Sequence, residues 1–109
     1  MINKKENILA IPKQIELFGR VIKTIDDTET LTLNRNYGEA RYGLNTIALN
    51  KKFVTDEELK MTYIHEMLHF ILNFTGYEGI IRNNQKIDLE QFIELMAAGI
   101  FQYEKTAKY

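Results

Sequence analysis

The stretch Thr62-Tyr63-Ile64-His65-Glu66-Met67-Leu68-His69-Phe70 constrains this chain more than any other. Its two histidines stand four residues apart, and a glutamate follows the first. On an α-helix, positions i and i+4 share a face one turn apart, so both imidazoles can reach a single metal ion. Glu66 projects about 100° round from His65, given ~3.6 residues per turn. That leaves it free to face a water activated by the metal rather than the metal itself. His-Glu-x-x-His on a helix is the arrangement of metal-assisted hydrolysis, in which zinc lowers the pKa of a water and the glutamate takes the proton.

The two histidines of the motif are also the only two in the chain. Around them the segment is apolar on nearly every side, through Met61, Tyr63, Ile64, Met67, Leu68, Phe70, Ile71, Leu72 and Phe74. A helix apolar all round is buried, so its imidazoles need partners inside the protein, and a shared metal supplies one. The alternative is a packed helix with two unrelated half-buried histidines and a solvated glutamate.

Composition narrows the setting. At 109 residues the chain makes one domain, small for an enzyme but able to form a core. A net charge of −1 offers no bulk attraction for nucleic acid or an anionic membrane. With no cysteine there is neither a disulfide framework nor a thiolate metal site, in keeping with a cytoplasmic location. The opening residues lack a long apolar run, so neither a signal peptide nor a transmembrane helix is expected.

Read in order, residues 1–13 are expected as a frayed, flexible lead-in to a single domain over 14–109. Gln14 to Ile25 is β-branched and interrupted at Gly19, which predicts two short strands about a turn or one kinked strand. Thr30-Leu31-Thr32-Leu33 alternates and predicts a further short strand. Glu39–Tyr42 and Thr46–Leu49 flank Gly43-Leu44-Asn45 as a hairpin. Thr55-x-x-Glu58 is a capping box that starts the motif helix, and Thr75-Gly76 ends it. A loop is expected from Tyr77 to Lys86. Asp88-x-x-Gln91 then caps a second helix that frays near Lys105. The fold class is therefore α+β: a small antiparallel sheet, the motif helix and a second C-terminal helix.

A catalytic zinc takes three protein ligands and keeps a fourth position for water. Lacking cysteine and a third histidine, this chain must use a carboxylate. The metzincin continuation is absent, because Leu72 and Thr75 stand where that pattern requires Gly and His. The carboxylates left are Asp88, Glu90, Glu94 and Glu104. Asp88 is better used as a cap and Glu104 sits near a frayed end. Glu90 and Glu94 share a face. Glu94 lies between Ile93 and Leu95, where an unpaired carboxylate would be costly, so it is preferred as third ligand over Glu90.

His65-Glu66-Met67-Leu68-His69, followed by Glu94-x-x-Ala97-x-Gly99-Ile100, resembles the small gluzincin-type metallopeptidase domains of phages and prophages. It is similar, more distantly, to the ImmA/IrrE and SprT-like metallopeptidases. The similarity takes in the hairpin ending at Leu49 and spans roughly residues 14–104. It implies a zincin-like fold with one zinc ion, His65, His69 and Glu94 as ligands, and Glu66 as general base. Relatives often carry Asn where this chain has Ala98, which removes any amide contact from that position.

The resemblance implies a peptide or protein substrate lying along an edge strand. Tyr77, Tyr103 and Tyr42 are candidate donors to a developing oxyanion, although each is also explained as an ordinary half-buried tyrosine. A second reading is a zinc-binding regulatory or interaction module with little turnover, since a small domain gains from a structural metal. A role on nucleic acid is not expected from the charge. An exposed edge strand and a small core favour a homodimer.

Overall fold

The computed structural model describes residues 8–109, so residues 1–7 of the lead-in lie outside the described residues. The architecture is α+β, with a four-stranded sheet carrying helices. Strands β1 (Gln14–Leu17) and β2 (Arg20–Asp26) form a hairpin around Phe18-Gly19. Both loop residues have positive φ, 51° and 78°, as a two-residue hairpin turn with the right-handed twist of its strands requires. Then come helix α1 (Thr28–Leu33), strand β3 (Gly38–Arg41), a single 3-10 turn (Tyr42–Leu44) and strand β4 (Thr46–Leu49). Asn45 closes the 3-10 turn in the left-handed region, a conformation asparagine tolerates.

The sheet order is β1-β2-β4-β3. The expected all-antiparallel sheet is corrected in one place: β2 and β4 run parallel, with Lys23 opposite Thr46 and Asp26 opposite Leu49. A parallel pair needs a crossover. Here α1 and β3 provide it, which leaves β3 on the outer edge of the sheet.

Thr30–Leu33, expected as a strand, belongs to α1. The Asp26 carboxylate accepts from the Thr28 backbone N–H at 3.1 Å, and the Leu31 N–H donates to the Asp27 carbonyl at 3.1 Å. These bonds close a helical turn, so Leu31 is fully buried while Leu33 faces solvent. The alternating pattern of this segment reflects one buried leucine rather than a two-faced strand.

The motif helix α2 (Asp56–Thr75) begins on the expected capping box. Thr55 Oγ1 accepts from the Glu58 N–H at 3.1 Å, and Glu58 Oε1 accepts from the Thr55 N–H at 3.0 Å. Gly76, at φ 81°, ends it in the left-handed region. The expected loop from Tyr77 contains a short helix, α3 (Tyr77–Arg82). Helix α4 (Leu89–Thr106) follows, with Asp88 Oδ1 accepting from the Gln91 N–H at 3.0 Å.

The core lies between the sheet and α2, and between α2 and α4. Ile22, Ile47 and Leu49 come from the sheet, Ile64, Leu68 and Phe70 from α2, and Ile93, Ala97 and Phe101 from α4. Of the lead-in, Leu9 and Ile11 pack against this core, and Lys60 Nζ donates to the Ala10 carbonyl at 2.8 Å. Among the described residues, no helix is long and apolar enough to cross a membrane.

Candidate metal centre

Helix α2 is buried against the sheet on one side and α4 on the other, and its motif face looks into the seam between α4 and β3. His65 and His69 lie one turn apart, with ring centroids 5.1 Å from each other and ring planes tilted by 54°. Glu90 in the first turn of α4 reaches across to both: its Oε2 is 2.9 Å from His65 Nε2 and its Oε1 is 3.1 Å from His69 Nε2. One ligand atom from each of the three residues lies within 4.8 Å of the others, so the group could hold a metal ion. Two imidazole nitrogens and a carboxylate oxygen directed at one point are the donor set of a three-ligand zinc centre.

The converging carboxylate is thus Glu90, not the expected Glu94. The burial argument for Glu94 rested on its apolar neighbours Ile93 and Leu95. Adjacent residues on a helix point about 100° apart, however. Ile93 is fully buried, whereas Leu95 is 66% exposed. The buried stripe of α4 runs through Leu89, Ile93, Ala97 and Phe101, and Glu94 lies beside it, exposed. Glu94, one helical turn on from Glu90, lines a cleft of about 260 Å³ with Tyr37, Gly38, Thr62, His65 and Glu66.

Glu66, one position after His65, lies outside the three-residue group. It is 8% exposed and turned toward β3 rather than into the His-His-Glu cluster. Burial raises its pKa above the usual carboxylate range, partly opposed by the positive charge that His65 and His69 can carry. A carboxylate tuned upward is better matched to taking a proton near neutral pH.

Glu78 was not anticipated, because Tyr77–Lys86 reads as loop. In α3 its carboxylate is 7% exposed and accepts from the Tyr42 hydroxyl at 2.5 Å and from Arg82 Nη2 at 2.9 Å. The available signal was Glu78 and Arg82 at i and i+4, a helical pair just after a glycine stop. Of the three candidate tyrosines, Tyr42 is inside the site and bonded to Glu78. Burial and the Glu78 carboxylate both push its pKa up, so the hydroxyl stays protonated. Tyr77 is 57% exposed, and Tyr103 is 63% exposed beside Tyr109. No protein-family model, curated protein or solved structure matches the chain.

Proposed function

We propose that the protein is a zinc-dependent metallopeptidase, with His65, His69 and Glu90 as ligands and Glu66 as general base. The observation that carries the reading is the convergence of both motif imidazoles on the Glu90 carboxylate, with Glu66 buried beside them and outside the cluster. The likeness of the motif region to small phage-type gluzincins supports the same reading. A zinc ion held by this set would supply polarisation of a peptide carbonyl and activation of a water. Glu66 would take a proton from the attacking water and deliver it to the leaving amine.

Strand β3 gives the substrate a place to lie. Among the described residues it pairs with β4 on one side only, and its Gly38 backbone passes directly over Glu66. An extended peptide adding to that edge is held by main-chain hydrogen bonds and runs past the general base.

Metal analysis of protein purified without chelator or metal-affinity resin tests the centre. One zinc per chain in the wild type, lost in His69→Ala and Glu90→Ala, is the expected result. Hydrolysis of fluorophore-labelled casein, abolished in Glu66→Gln, then tests the reaction. A wild-type chain that holds no metal and takes up none when zinc is added overturns the proposal. The cleft volume of about 260 Å³ favours one second reading, a zinc-holding regulatory or interaction module. Bound zinc without hydrolysis across a broad peptide library would select it.

A further inference from the structure

The motif accounts for one ring nitrogen of His69 and leaves the other unexplained. Nε2 faces Glu90. Nδ1 faces the interior, 3.3 Å from the Tyr42 hydroxyl oxygen and 3.5 Å from Glu78 Oε2. These partners come from separate parts of the chain: Tyr42 from the 3-10 turn after β3, and Glu78 from α3. Both are held firmly. The Tyr42 ring meets Phe70 edge to face at 5.2 Å, and Arg82 fixes the far oxygen of Glu78.

Counting protons decides which tautomer this arrangement accepts. The 2.5 Å bond commits the Tyr42 proton to Glu78, so the tyrosine oxygen has only lone pairs to offer His69. The Glu78 carboxylate likewise only accepts. An Nδ1 lone pair at this point would meet two acceptors in a buried site, whereas an Nδ1–H satisfies both. The neutral ring that fits has its proton on Nδ1 and its lone pair on Nε2, facing the cluster.

We propose that Glu78, with Tyr42 as the bridge, is a positioning residue that fixes the orientation and tautomer of His69 and thereby sets the affinity of the centre for zinc. The inference rests on the metal-centre reading above and assigns it a supporting carboxylate from an element outside the motif. Partners of this kind orient a ligating imidazole and raise its basicity, and removing one weakens metal binding about 10- to 100-fold.

The test is zinc affinity, measured by competition with a chromophoric chelator, for wild type, Tyr42→Phe, Glu78→Gln and Tyr63→Phe. Tyr42→Phe removes one oxygen and keeps the ring against Phe70, so it carries the test if Glu78→Gln does not fold. Tyr63→Phe removes a buried hydroxyl that has no hydrogen-bond partner among the described residues, and so controls for general loss of packing. Expected are a loss of about tenfold or more in zinc affinity for Tyr42→Phe and Glu78→Gln, and no change for Tyr63→Phe. In the zinc-loaded wild type the His69 Nδ1–H proton should give a slowly exchanging low-field NMR signal that moves in Tyr42→Phe. Folded variants that bind zinc within twofold of wild type overturn this inference and leave the metal centre standing. A wild type that binds no zinc overturns both.

Discussion

Gly38 of β3 lies so close to Glu66 of α2 that a methyl group on its α-carbon would stand 3.2 Å from both Cγ and Oε2 of Glu66 and 2.5 Å from Thr62 Cγ2. The strand therefore passes so close to α2 that an added Cβ would clash with the Thr62 methyl group and crowd Glu66, the proposed general base. Gly38→Ala must push the Thr62 methyl group aside and crowd the Glu66 side chain. Overpacking of this kind costs about 1–3 kcal/mol. The expected outcome is a lower melting temperature together with a fall in peptide hydrolysis larger than the fall in zinc affinity, because the crowded group is the proposed base and not a proposed ligand. Gly43→Ala, where an added methyl group meets nothing within 4 Å, is the matched control. Equal behaviour of the two variants would show that the close approach is not needed.

Glu90 and Glu94 separate by substitution. Replacing Glu90 with Gln removes the carboxylate that both imidazoles face, so zinc affinity should fall by at least about a hundredfold, and titration calorimetry can read it. Glu94→Gln leaves the cluster whole and should change affinity by less than about tenfold, below the loss typical of groups bonded to a ligand. The reverse order would return the ligand role to Glu94.

The reading of Glu94 shows where sequence pattern stops being informative. Caps, glycine stops and the i, i+4 face of His65 and His69 are local, and the bonds at Thr55, Glu58 and Asp88 form as their spacing implies. Which of two carboxylates on one helix face meets the histidines depends on how far α4 slides along α2, and that is set by distant packing such as Ile93 and Ala97 against the core. Glu78 was hidden for a related reason. Its importance comes from Tyr42, 36 positions earlier, and from the turn at Gly76 that brings α3 back beside His69. The Thr30–Leu33 segment failed differently: four residues, within a helix of six, are too few for periodicity to distinguish a helix from a strand.

The capping box at Thr55 should support the fold without bearing on the site. Thr55→Ala removes the acceptor for the Glu58 N–H and the reciprocal geometry that holds the Glu58 carboxylate below its usual pKa. Loss of such a cap costs about 1 kcal/mol. In a domain of this size that corresponds to a melting temperature lower by roughly 4–8 °C. Thr55→Ser should retain most of the stability. Zinc affinity at 20 °C should be unchanged in both, since the cap lies more than two turns from His65.

The buried Glu66 carboxylate predicts a pH dependence of stability in the metal-free protein. Burial raises its folded-state pKa above the ordinary value of 4.5. Between the unfolded and folded values the folded chain binds more protons than the unfolded one, so stability falls as pH rises. The contribution is fully present below about pH 4.5 and is lost as pH climbs through the raised folded value. Glu66→Gln cannot ionise and should lack this loss. Its urea midpoint, measured against wild type in chelator, should therefore gain on the wild-type midpoint as pH rises from 4.5 to 7.5. The same variant should bind zinc as tightly as wild type while losing about 10²- to 10⁴-fold in peptide hydrolysis, the range general-base catalysis supplies. A Gln variant that tracks wild type at every pH would mean that the carboxylate is solvated in the folded chain and not tuned for proton transfer.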